Sequence, residues 1–114
     1  MNIERIDPAQ RWSEAVIHND TVYYTSVPEN LDDDATAQTA NTLAAIDVLL
    51  ERVGSDKSRI LDATIFLANG DDFAAMNAAW DAWVVAGSAP VRCTVAARLM
   101  NPKYKVEIKI IAAL

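Results

Sequence analysis

Two kinds of hydrophobic patterning share this chain. Ala15–His18 and residues 21–27 are rich in β-branched and aromatic residues and read as strands, with Asn19-Asp20 supplying turn chemistry between them. Pro28 ends the second run. After Asp32-Asp33-Asp34 the period changes. Leu43, Ile46, Leu50 and Val53 recur at helical spacing, with Ala40 on the same stripe. The acidic triplet suits the positive end of that helix's dipole, and Gly54 suits its C-terminal stop. Residues 60–68 alternate again and predict a buried strand, with Ala63, Ile65 and Leu67 on one face and Asp62, Thr64, Phe66 and Ala68 on the other. Gly70-Asp71-Asp72 opens a second helix, whose stripe of Phe73, Met76, Trp80 and Trp83 belongs to a core. Gly87 and Pro90 bracket its end, and strands over residues 91–99 and 104–113 close the chain.

The resulting order is β-β-α-β-α-β-β: an α+β class with a mixed β-sheet, in a single domain over residues 1–114. Right-handed crossovers place both α-helices on one face of the sheet. The other face would then expose Phe66, Ala68, Ala96 and Ile111 among its polar residues. Burial at about 25 cal/mol per Å² favours covering that face with a second subunit, so the patterning itself predicts self-association.

Composition narrows the function classes. The 52% hydrophobic content, with only 3 Gly and 4 Pro, supports a packed core rather than disorder. A net charge of −6 and a pI near 4.5 disfavour nucleic acid as a partner, since phosphate binding needs clustered Lys and Arg. Lys103, Lys105 and Lys109 form the densest basic group and read as the solvated edge of a strand. The N-terminus lacks the apolar core of a signal peptide, and no run approaches the roughly 18 apolar residues of a membrane span, so a cytoplasmic protein with no membrane partner is expected. Cys93 is the only cysteine, which rules out an intramolecular disulfide. With His18 the only histidine, no histidine-based metal cluster is possible. The aspartate triplet could attract calcium or magnesium, but no further ligands follow at metal-loop spacing, and no metal is expected. P-loop, G-x-G-x-x-G and G-x-S-x-G motifs are all missing from the sequence, so no cofactor is implied.

Candidate chemistry lies on the last two strands. Alternation turns Val91, Cys93 and Val95 toward the helices, leaving Arg92 and Thr94 on the uncovered side. Val106, Ile108 and Ile110 form the apolar set of the final strand, which puts Glu107 on the same side as Arg92. A guanidinium binds a carboxylate through two parallel charge-assisted hydrogen bonds, and a nearby carboxylate can orient or deprotonate a water. The same pair could equally be an interfacial salt bridge that fixes an assembly. In a simple hairpin the two residues would lie several positions apart, so cooperation would need different subunits.

Ala89-Pro90-Val91-Arg92-Cys93-Thr94-Val95, with Val106-Glu107-Ile108 and Ile111-Ala112-Ala113, resembles the C-terminal signature of the RidA/YjgF family. Asp72-Phe73-Ala74-Ala75-Met76-Asn77 is similar to that family's second-helix opening. Val27-Pro28-Glu29-Asn30 and Met100-Asn101-Pro102-Lys103-Tyr104 resemble its YoaB-like branch, and the likeness spans essentially the whole chain. The resemblance implies a chorismate-mutase-like fold assembled as a homotrimer with clefts between subunits. It implies hydrolysis of small carboxylate-bearing 2-imino acids, formed from enamines, to 2-oxo acids and ammonia, without metal or organic cofactor. In its terms Arg92 holds the substrate carboxylate, Glu107 places the water, and Asn77 lies near the site.

Three positions depart from the family pattern. Trp12 stands at the family's early cleft tyrosine. Tyr24-Thr25-Ser26 corresponds loosely to a Ser-Gly-Gln stretch but lacks its glycine, making Thr25 a substrate-binding candidate. Thr94 replaces a cysteine two places after the arginine. Trp12, Thr25, Asn77 and Thr94 are therefore expected to line a reshaped pocket around Arg92 and Glu107.

Overall fold

The computed structural model describes residues 2–114. Asn19 and Asp20 both adopt left-handed backbone conformations, at φ 53° and 56°. Short polar side chains tolerate that region, and two such residues make a tight hairpin turn. The turn folds β2 (Ala15–His18) onto β3 (Thr21–Ser26), with His18 opposite Thr21.

Helix α1 (Ala35–Arg52) is fixed at both ends by local chemistry. The Asp34 carboxylate accepts the Ala37 N–H at 2.9 Å, capping the first turn. At the other end Gly54 takes φ 82°, its N–H returning to the Glu51 carbonyl and that of Ser55 to the Leu50 carbonyl. The buried stripe is Leu43, Ile46, Leu49 and Leu50 together with Gln38, Thr39 and Thr42. Ala40, expected on that stripe, is exposed. The two threonines replace it because each hydroxyl donates to a carbonyl one turn back, Thr39 to Ala35 and Thr42 to Gln38, and so can be buried without an unpaired group.

The acidic triplet is spent on structure. Besides the Asp34 cap, Asp33 accepts from Asn30 and Asp32 faces Lys103 at 3.8 Å. Among the described residues no group of His, Cys, Asp or Glu could hold a metal ion.

The remaining elements are β4 (Ile60–Leu67), α2 (Phe73–Trp83), β5 (Val91–Ala96) and β6 (Val106–Ala113), preceded by a short strand β1 (Glu4–Ile6) that the patterning missed. The order is therefore β-β-β-α-β-α-β-β. Three residues are too few to show alternation, and β1 exists because it pairs with β2, Ile6 opposite Ala15. The sheet runs β1-β2-β3-β6-β4-β5. The last strand of the chain inserts at the centre, antiparallel to both β3 and β4, while β4 and β5 pair in parallel across α2. β5 and β6 are thus not neighbours, and β5 is an edge.

Both helices cover one face. Ala63, Ile65 and Leu67 of β4 and Val106, Ile108 and Ile110 of β6 point into one buried cluster with Leu43, Ile46, Leu50, Met76 and Trp80. The face assignments of these two strands follow the sequence pattern. That of β5 does not.

Candidate functional site

The phase of β5 is set by its parallel register with β4. Arg92 lies beside Ala63 and Thr94 beside Ile65, both of which face the helices, whereas Cys93 lies beside Thr64 and Val95 beside Phe66. Arg92 and Thr94 therefore face α2, and Val91, Cys93 and Val95 face the helix-free side, the reverse of the expectation. Ala96, beside Leu67, moves to the helix side with them. The reason is that alternation marks the apolar side of β5, Val91, Cys93 and Val95, but not what covers it, and the register with β4 turns that side away from the helices.

On the helix side Arg92 is half-buried. Its guanidinium carbon sits 5.2 Å from the centroid of the Trp80 ring, within cation–π range, and Nη1 lies 3.9 Å from Met76 Sδ. Among the described residues it has no oxygen partner, neither carboxylate nor carbonyl. Two residues along, Thr94 Oγ1 is shielded from solvent and also lacks a hydrogen-bond partner. Asn77 is half-buried on α2, next to Met76 and three residues before Trp80. Cation, hydroxyl and amide thus belong to one packed pair of elements, β5 and α2.

Glu107 lies elsewhere. It stands beside Phe66 on the helix-free face, opposite in the sheet to Arg92, so the two cannot meet within one chain. Thr25 is exposed on that same face, in a row running through Lys109 and Thr64 to Cys93. Lys109 is consequently central in the sheet rather than on a solvated edge. Lys105, just before β6, donates from Nζ to the Asp33 carbonyl at 3.0 Å. Trp12 belongs to the loop between β1 and β2 and is 70% exposed.

A further concavity of about 390 Å³ lies between α1 and the β2–β3 hairpin, with Glu14, Tyr24, Glu29, Asn41 and Arg52 on its walls. Burial raises the Tyr24 phenol above its usual pKa; the Ser26 hydroxyl acts the other way, and the Glu14 and Glu29 carboxylates add to the rise. At the rim Arg52 and Asp7 pair at 2.8 Å, which lowers the Asp7 carboxyl and raises the guanidinium.

By sequence pattern Met76 and Trp80 read only as core residues of α2. They are core residues, 0% and 5% exposed, and Arg92 packs on both as well. The available signal was their i, i+4 spacing, which puts both on the side of α2 that faces the sheet.

The sequence profile of the family described as Endoribonuclease L-PSP matches residues 2–114. The RutC family protein YoaB of Escherichia coli K12 is 75% identical over 113 residues, covering 99% of each chain. A putative translation initiation inhibitor from Salmonella typhimurium has a crystal structure that superposes with TM-score 0.93 at 73% identity, over 98% of this chain and 97% of that one. A YjgF-family protein from Neisseria meningitidis superposes with TM-score 0.93 at 47% identity, over 99% and 95% of the two chains.

Proposed function

The chain belongs to the RutC/YjgF family, the one described as Endoribonuclease L-PSP, and on that premise we propose that it is an enamine/imine deaminase. It hydrolyses small 2-imino acids to 2-oxo acids and ammonia. The observation that carries this reading is Arg92: a half-buried guanidinium laid on an aromatic ring with no anion of its own. Such a group binds a planar carboxylate through two parallel N–H···O bonds, and shielding from water strengthens them.

Because Glu107 is on the opposite face of the same sheet, the second half of the site comes from a neighbouring subunit. The helix-free face, with Tyr23, Val91 and Val95 exposed, is the surface that a homotrimer would cover. In the assembled cleft Arg92 holds the substrate carboxylate, while Glu107 of another subunit takes a proton from water as the water oxygen bonds to the imine carbon. The C=N π electrons move to nitrogen, which takes that proton from Glu107 to give a neutral amino alcohol. In its collapse Glu107 takes the hydroxyl proton and passes it to nitrogen as the C=O forms and the C–N bond breaks, releasing ammonia and the 2-oxo acid. Thr94, Asn77, Thr25 and Trp12 would line this cleft and set substrate size.

A second reading is favoured by the separation of Glu107 from Arg92 within the chain: a non-catalytic trimer that binds or senses carboxylate metabolites through Arg92. A ribonuclease reading, suggested by the family's description, is opposed by the −6 charge and the scattered basic residues.

The two are separated by release of ammonia or 2-oxo acid from freshly generated 2-imino acids of small, branched and aromatic amino acids. The deaminase reading expects turnover above the spontaneous rate, abolished in Arg92→Ala. It expects a loss of about 100-fold or more in Glu107→Gln with carboxylate binding retained. A folded, oligomeric protein that binds carboxylates yet accelerates none of the panel would be the binding module instead.

A further inference from the structure

We infer that Trp80 is a positioning residue for Arg92: its indole face holds the guanidinium in place and leaves the Nε and Nη2 N–H groups free for a ligand carboxylate. The inference rests on reading Arg92 as the carboxylate clamp and adds how that clamp is preorganised.

An arginine head on a flexible stem is usually fixed by an acidic partner, which also neutralises it. Arg92 has none among the described residues. What holds it instead is the Trp80 ring, 5.2 Å away, with Met76 Sδ at 3.9 Å as a weak acceptor beside Nη1. A π face attracts the cation without using an N–H, so with Nη1 turned to Met76 the Nε and Nη2 edge of the fork stays open. Trp80 is only 5% exposed, which removes the water that would otherwise weaken the contact.

The platform is itself braced. Trp83 packs against Trp80 with ring centroids 5.4 Å apart and planes at 54°. The Trp83 indole N–H donates to Asp47 Oδ2 on α1 at 2.9 Å, and Lys57 Nζ lies 5.3 Å from the Trp83 centroid. A continuous stack thus runs from α1 through two indoles to β5, and its carboxylate, Asp47, is engaged by Trp83 rather than by Arg92.

The test uses the intact oligomer, with 2-oxobutanoate as the probe ligand and the Arg92 Nε–Hε signal, assigned from Arg92→Lys, as the geometric readout. In wild type that proton should carry an upfield ring-current shift, lost in Trp80→Leu. The same variant should raise the Kd for 2-oxobutanoate, and KM for the imine, about 5- to 30-fold with kcat little changed. Trp80→Phe should recover most of the affinity, within about threefold of wild type. A merely structural role would lower Tm in both variants without this split. If Trp80→Leu does not fold, Trp80→Phe carries the test, because its smaller ring current must still move the Arg92 signal.

Binding lost in Arg92→Ala but untouched in the Trp80 variants would overturn the positioning role and leave the clamp standing. An Arg92 signal without ring-current shift in wild type would overturn it directly. Wild type that binds no carboxylate, despite a shifted Arg92 signal, would instead remove the functional reading on which the inference rests.

Discussion

Tyr24 illustrates how a single residue can carry a pH signature. Its ring is buried against the core while its hydroxyl borders the concavity beside Glu14 and Glu29. Burial disfavours the phenolate, so the folded pKa lies above the 10.0 of an exposed tyrosine. The unfolded chain therefore ionises first as pH rises. The stabilisation is fully present below about pH 10 and is lost as pH climbs through the folded value. Tyr24→Phe should flatten the decline in urea midpoint above about pH 10 while barely changing it at pH 7. An identical decline in both proteins would place the alkaline transition elsewhere. Tyr24 is buried and its neighbour Tyr23 exposed because successive side chains of β3 point to opposite faces of the sheet.

Among the elements, α1 and β6 are tied by one side chain. Gln38 is 0% exposed. Its Nε2 donates to the Leu31 and Lys103 carbonyls at 3.2 and 3.0 Å, and its Oε1 accepts the Lys105 N–H at 2.8 Å. The amide thus satisfies backbone groups just before α1 and just before β6, where no strand partner is available. Gln38→Leu, of similar volume, leaves these groups buried and unpaired and should cost about 3 kcal/mol in urea unfolding. Gln38→Glu should cost at least as much, since it sets a carboxylate against two carbonyls. A loss under about 0.5 kcal/mol in either would mean that water or a shifted loop replaces the amide. The sequence offered no hint of this hub, because a glutamine on a predicted helix is ordinarily a surface residue.

On the scale of the whole molecule the helix-free face is the surface on which the proposed assembly rests. It presents Tyr23, Val91, Val95 and Phe66 around Glu107, Lys109 and Asp62. The self-association predicted from patterning survives the reversal of β5, because Val91 and Val95 replace Ala96 on that face and enlarge its apolar part. Val95→Asp should therefore convert the oligomer to smaller species in sedimentation while leaving the protomer's far-UV circular dichroism intact. It should also lower imine turnover, since the proposed site needs two subunits. Unchanged sedimentation would show that this face is not the contact.

The sequence by itself determined what short-range physics controls. It located the Asn19-Asp20 turn, the acidic start and Gly54 stop of α1, the faces of β4 and β6, and Met76 and Trp80 in the core stripe of α2, while Phe73, expected on that stripe, is exposed at the first turn of the helix. In each case neighbouring residues or a strong two- or 3.6-residue period set the outcome. Its motifs also pointed to the family to which the chain belongs, and through that resemblance to Arg92 and Glu107 as the proposed site residues. Only the tertiary structure decided that β6 enters the middle of the sheet, that β1 exists, and that Arg92 turns toward Trp80 while Glu107 turns away. These are matters of long-range pairing: a strand's register is fixed by hydrogen bonds to a partner far along the chain. For the edge strand β5, whose apolar side turns away from the helices, that partner decides which side chains face the core.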